Sequence, residues 1–239
     1  MKHVAICACG LIAAALAPPV LAQDDEAEKL FRAMEKKITE AKTFQIAASI
    51  QLKGETKDRG GRLKGSLLLT SDNKARLTIS GSISGEAVKR ELVSDGKQMK
   101  LKLGVKEQEA KPTAKNFHRL LSTLVVHLGL EPSAEGLGLV GLDELQKGFD
   151  DGTLGFKNVA AFKAGAAEKV AGREAKVVSY TIGEKGDKTA PAVTLWIDAN
   201  TLLPLKRVVV TKSEGTFTEI YDEFTLDPKI DAKAFELPK

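Results

Sequence analysis

Hydrophobic and polar positions along this chain change period several times, and each change marks an element. Leu30, Phe31, Met34, Ile38 and Ala41 recur at three- and four-residue spacing, which predicts an amphipathic helix over 24–41 with one buried stripe. Asp24, Asp25, Glu26 and Glu28 open that segment and suit a helix N-terminus, where the backbone dipole favours negative charge. From Phe44 the period drops to two. Phe44, Ile46, Ala48, Ile50 and Leu52 alternate with Gln45, Ala47, Ser49 and Gln51, the pattern of a strand with one apolar face.

Further strand-like runs follow at 63–70, 74–80, 87–94 and 98–105, separated by turn clusters such as Ser71-Asp72-Asn73, Gly81-Ser82-Ile83-Ser84-Gly85 and Asp95-Gly96. Met99, Leu101, Leu103 and Val105 face one way while Lys100, Lys102 and Lys106 face the other. One dry and one wet face is the behaviour of an antiparallel sheet. Helical spacing returns over 112–128, with Phe117, Leu120, Leu121, Leu124, Val125 and Leu128 on one side. The segment 129–148 is rich in leucine and glycine, with a short helix expected at 142–147. Strands resume at 160–170, 175–182, 193–198, 205–211 and 216–226, for a total of about ten. No fixed-period repeat or low-complexity linker divides them, so 23–239 reads as one domain.

The beginning of the chain reads as an export signal. Met1-Lys2-His3 is basic, 4–17 is apolar, and Val20-Leu21-Ala22 is a small-residue cleavage site before Gln23, so 1–22 is expected to be removed. The apolar run is too short for a bilayer span, which takes ~20 residues. Both cysteines, Cys7 and Cys9, lie in this leader, so the mature chain is expected to carry no thiol and no disulfide. Ile6-Cys7-Ala8-Cys9 loosely resembles a lipoprotein cleavage site, but only a few apolar residues precede Cys9. Cleavage after Ala22 is the better reading, and lipoprotein anchoring is not expected. The formal net charge is +4, spread over scattered lysines, and the chain has nine Phe, two Tyr and one Trp. With few aromatics for base stacking, nucleic acid is not an expected partner. Weak attraction to anionic membrane surfaces fits the small basic excess.

Candidate chemistry is sparse. Gly136-Leu137-Gly138-Leu139-Val140-Gly141 matches the dinucleotide-binding glycine pattern, but Glu131-Pro132-Ser133-Ala134-Glu135 before it is no strand. The serines of Gly81-Ser82-Ile83-Ser84-Gly85 miss the central position of a nucleophile elbow and lie between strands. His118 and His127 are nine positions apart on one helix, hence on nearly opposite faces, and are expected at the surface or the helix end. Without cysteine or an HExxH pattern, no metal site is expected. Asp143-Glu144, Asp150-Asp151 and Asp222-Glu223 are adjacent acids, and neighbours on a strand point to opposite faces. The chain is therefore expected to be a non-enzyme without a cofactor.

The C-terminal third is more distinctive. Leu195-Trp196-Ile197-Asp198, Ala199-Asn200-Thr201-Leu202-Leu203-Pro204 and Leu205-Lys206-Arg207-Val208 form strand, tight hairpin and strand. Tyr221-Asp222-Glu223-Phe224-Thr225-Leu226-Asp227 follows, then Ile230-Asp231 and Phe235-Glu236-Leu237-Pro238. This succession, with a helix running into Phe44 and a long first strand, resembles the periplasmic outer-membrane lipoprotein carrier (LolA-like) superfamily, in its uncharacterised periplasmic branch. The resemblance is weak over 112–157. It implies an α+β fold: a strongly curved antiparallel sheet, an unclosed β-barrel, with helices covering its concave face around an apolar cavity for acyl chains. The carrier's functional arginine has no assignable counterpart among the arginines of this chain. What the resemblance implies is a monomeric periplasmic carrier of lipid or acylated protein. The alternative is a lipid-sensing regulatory module acting on a membrane-bound partner protein. Inward-facing Phe44, Ile46, Ile50, Leu67, Leu69, Leu77, Ile79, Leu101 and Leu103 are the expected lipid-binding wall. Leu137, Leu139 and Leu142 belong to the expected helical and glycine-rich cover at 112–148.

Overall fold

A computed structural model of the chain describes residues 20–54, 60–130, 159–183, 189–212 and 215–238, with side chains from Asp24 onward. Residues 1–19 of the expected leader, the dinucleotide-like glycine pattern, the acids at 143–144 and 150–151, Leu137, Leu139, Leu142 and the short helix at 142–147 lie outside the described residues. Helix α1 spans Val20–Thr39, followed by strands β1 (Thr43–Lys53), β2 (Gly60–Thr70), β3 (Lys74–Ile83), β4 (Glu86–Asp95) and β5 (Gln98–Leu103). Short strands β6 (Lys106–Glu107) and β7 (Lys111–Pro112) lead into helix α2 (Phe117–Leu128). Beyond it come β8 (Val159–Ala164), β9 (Glu168–Val170), β10 (Arg173–Ile182), β11 (Ala192–Asp198), β12 (Pro204–Thr211) and β13 (Gly215–Leu226). A short 3-10 helix, Ala232–Phe235, closes the order.

All of these strands join one antiparallel sheet in the order β6-β5-β4-β3-β2-β1-β13-β12-β11-β10-β8, with β7 against β5 and β9 against β10. The sheet is strongly curved and unclosed, and α1 and α2 lie on its concave face. That is the α+β architecture expected from the sequence. Strands β1, β2 and β3 alternate buried and partly exposed positions along much of their length, as in β1, where Phe44, Ile46, Ala48 and Ile50 turn inward. Thirteen strands replace the expected ten for local reasons. The run 160–170 breaks into β8 and β9, both of which pair with β10. Lys111 and Pro112 pair with Met99 and Gln98, and α2 starts only at Phe117. The run 98–105 stops at Leu103, where Gly104 turns with φ 61° and leaves Val105 exposed.

Helix α1 is described from Val20, so the acids from Asp24 onward fall beyond the first turn of the described span; with 1–22 removed, as expected, they would open it. Its stripe behaves as predicted. Phe31, Met34 and Ile38 are fully buried and pack into one core with the inner sheet face and with Phe117, Leu121, Leu124 and Val125 of α2. A smaller cluster on the outer face joins Ala175, Val177, Trp196 and Leu205. Trp196 donates to Glu168 at 2.8 Å and carries the Lys206 ammonium 4.1 Å above its ring. The C-terminal segment is strapped to the outer face by Arg76, which donates to the Ala234 and Glu236 carbonyls.

Candidate functional site

The inner face carries its one conspicuous departure from apolar character beneath the C-terminal end of α2. In β12, Arg207, Val209 and Thr211 line the concave side, and in β13 so do Phe217 and Glu219. The register sets Arg207 directly opposite Glu219, and Glu219 opposite Ile50 of β1. Both charged residues are buried, Arg207 at 1% exposure and Glu219 at 4%. Burying charges is costly unless each finds partners. Arg207 Nη1 donates to the Val125 carbonyl at 2.9 Å and Nη2 to the Val126 carbonyl at 2.6 Å. Tyr180 Oη donates to the His127 carbonyl at 3.0 Å. The last turn of α2, where the Val125 carbonyl also accepts the Gly129 N–H at 2.9 Å, is thus capped by side chains of the sheet. A cation also sits where the helix dipole is negative.

Glu219 holds the residues that follow. Its Oε1 accepts the Leu130 N–H at 2.6 Å, and its Oε2 accepts the Tyr221 hydroxyl at 2.5 Å. The carboxylate is 3.9 Å from Arg207 Nη1, a loose ion pair because Gly129 passes between them. Gly129 has φ 89° and ψ −163°, a conformation essentially confined to glycine. A Cβ there would lie 2.2 Å from Glu219 Oε2. Burial pushes the Tyr180 hydroxyl up to about 12 and raises Tyr221 well above its ordinary value, so both remain hydrogen-bond donors at neutral pH. Burial alone would lower the Arg207 pKa, but attraction to Tyr221 and Tyr180 in their ionised forms and to Glu219 outweighs it and raises the pKa above its ordinary value.

A second polar link joins the two helices. His127 Nε2 lies 2.5 Å from Glu35 Oε1, and Arg32 Nη1 donates to Glu35 Oε2 at 2.8 Å. Burial alone would raise the Glu35 pKa, but the bonds from His127 and Arg32 outweigh it and hold the carboxyl below its usual range. His127 sits in the last turn of α2 as expected, yet its side chain is buried against Phe31 and not on the surface. His118 is half-buried near Phe44, and burial lowers its pKa.

A narrow cleft opens beside this network. It is lined by Ile50, Leu128, Pro191, Val209 and Phe217 together with Arg207, Glu219 and Thr211. It encloses about 430 Å³ counted out to its mouth, but its interior has room for only about 30 Å³ of water-sized volume. That interior is too small for an acyl chain.

The expected lipid-binding wall is brought together on the concave face. Phe44, Ile46, Ile50, Leu67, Leu69, Leu77, Ile79 and Leu101 all belong to the core cluster, none more than 6% exposed, and Leu103 packs partly buried against it. The space in front of them is filled by the stripes of α1 and α2. Of the wall residues, Ile50 also borders the cleft. Asp222 and Glu223 depart from the expected opposite orientation. A bulge in β13 opposite Ala47 and Ala48 turns both to the outer side, where Ser49 donates to Asp222 and Gln45 to Glu223. Among the described residues no group of three or more His, Cys, Asp or Glu could hold a metal ion. Nor is any described helix long and apolar enough to cross a membrane.

Arg207 and Glu219 were not singled out from the sequence, although a signal was present. Each occupies the apolar phase of an alternating strand, Arg207-x-Val209-x-Thr211 and Phe217-x-Glu219-x-Tyr221. A charge in that phase must find a buried partner.

No protein-family model and no curated protein matches the chain. Among solved structures, Mycobacterium tuberculosis lipoprotein LppX is similar at 13% identity and TM-score 0.46, over 87% of this chain and 98% of that one. LprF from Mycobacterium bovis is similar at 14% identity and TM-score 0.44, over 86% of this chain and 95% of that one. A LolA superfamily protein from Nitrosomonas europaea is similar at 10% identity and TM-score 0.36, over 88% and 97%. The architecture described above, an unclosed curved sheet with helices on its concave side, is the fold class expected from the sequence.

Proposed function

We propose that this chain is an exported, non-enzymatic carrier that shelters the acyl chains of a lipid or an acylated protein behind α2. The reading takes 1–22 as a leader and 23–239 as a single periplasmic domain. One observation supports it: apart from the Arg207–Glu219 network the concave sheet face is mostly apolar, and its cover at α2 is fastened by a handful of polar bonds at one end. The wall residues form the core of a closed state. Lifting α2 would expose them as a trough continuous with the cleft at Ile50, Val209 and Phe217. Enclosing an acyl chain gains ~0.8 kcal/mol per CH₂, so a sixteen-carbon chain is worth on the order of 12 kcal/mol before ordering costs. The helix–wall contacts given up when α2 lifts are set against that gain, so the net is smaller.

Native mass spectrometry of the protein purified from its own envelope, with lipid extraction of the same sample, tests this. A stoichiometric lipid or acylated peptide is the expected result. Repeated absence of any, together with no binding of fluorescent acyl probes, overturns it. Capture of one specific membrane protein without any bound lipid would instead favour the regulatory module.

A further inference from the structure

Arg207 presents a donor that the fold leaves unused. Its two terminal nitrogens are engaged by Val125 and Val126, but Nε is buried with no hydrogen-bond partner among the described residues. Native proteins rarely leave such a group unmet, because an unsatisfied buried donor forfeits its hydration for nothing. The residue lines the cleft at the end of α2, whose other walls are mostly apolar: Ile50, Leu128, Pro191, Val209 and Phe217. A buried charged donor facing an apolar groove describes a site for the junction between an acyl chain and its polar group.

We propose that this cleft recognises an uncharged carbonyl of an acylated ligand, an ester or an amide, as the acceptor for Arg207 Nε. The inference rests on the carrier reading and names the ligand chemistry of that same site. Charge decides against a free fatty carboxylate. Glu219, 3.9 Å from Arg207, already balances the guanidinium, so a second carboxylate would bring an uncompensated negative charge into a buried site. Glu219 is itself occupied by Leu130 and Tyr221, so it is not available to leave. A pure hydrocarbon would fill the groove but leave Nε unmet. A neutral carbonyl satisfies one donor with one acceptor and adds no charge. The small interior volume matches the same assignment, since a carbonyl oxygen needs little more room than the water that fits there.

The test uses the intact wild-type chain and three probes of matched length: octadecane, methyl hexadecanoate and the hexadecanoate anion, each displacing a fluorescent acyl reporter. A hydrogen bond to a charged donor is worth a factor of roughly ten to a hundred in affinity, so the ester should bind tighter than the hydrocarbon by that factor. It should also bind tighter than the carboxylate. In Arg207→Lys, which keeps the charge and loses Nε, the ester-to-hydrocarbon ratio should fall to about two or less. The Nε–H resonance of Arg207 should shift when the ester binds and not with octadecane. Equal affinity for ester and hydrocarbon, a carboxylate that binds best, or an Nε–H that sees only a water while the ester is bound overturns the proposal and leaves the carrier reading intact. Failure of all three probes to bind removes the carrier reading itself, and this proposal with it. Should Arg207→Lys not fold, the wild-type probe series and the resonance still decide.

Discussion

Replacing Arg207 with methionine tests whether the buried charge network is what seats the end of α2. The substitution preserves an apolar stem but deletes two donors, leaving the Val126 carbonyl unmet, the Val125 carbonyl with only the Gly129 N–H, and Glu219 buried without its counter-charge. Breaking a buried pair from one side costs about 3–5 kcal/mol, most of it from the stranded charge. Glu219→Leu strands the guanidinium in turn and unpairs the Leu130 N–H and the Tyr221 hydroxyl, so a similar loss of about 3–5 kcal/mol is expected. In the double variant neither charge remains. Its cost should therefore fall short of the sum of the singles by roughly 2–3 kcal/mol, the upper part of the range for residues in one network. Urea denaturation of the four proteins gives the energies. Amide exchange at Gly129 and Leu130 shows whether the loss begins at the end of α2. Single costs below about 1 kcal/mol, or strict additivity, would refute the reasoning, because exposed pairs behave that way and buried ones do not.

Gly129→Ala should destabilise by about 1–3 kcal/mol from backbone strain alone, and more once the Cβ pushes Glu219 from Leu130; faster exchange of the Leu130 amide is the signature. Phe31→Ala should cost about 3–5 kcal/mol in urea denaturation, since the ring is fully buried with centroids 4.8 Å from Tyr180 and 5.3 Å from Phe162. Acidification should destabilise the fold in two stages. His118 is held below 6.5 when folded, so the unfolded chain binds the proton first, and stability falls as pH drops below that value. Glu35 is held below 4.5, so its contribution is present above that pH and lost beneath it. A urea midpoint that is flat or rising as pH falls from 7 to about 5 would contradict the His118 assignment, and one that stays flat as pH falls further below 4.5 would contradict the Glu35 assignment.

Periodicity along the chain was sufficient to place α1, α2 and the long strands, because helix and strand repeats are local properties that neighbouring residues impose on one another. It identified the wet and dry faces of β1 and β5 for the same reason, and the wall residues Phe44 to Leu101 do share one face. Local pattern could not tell that Lys111 and Pro112 would pair with β5, or that a bulge would turn Asp222 and Glu223 to the same side. Both depend on what the partner strand presents. The Arg207–Glu219 pair shows the division most clearly. Each residue was legible as a charge in an apolar phase, but their meeting required the register of β12 against β13, and their function required the end of α2 to settle above them. Register and helix docking are sums over many distant contacts, and only the folded chain performs that sum.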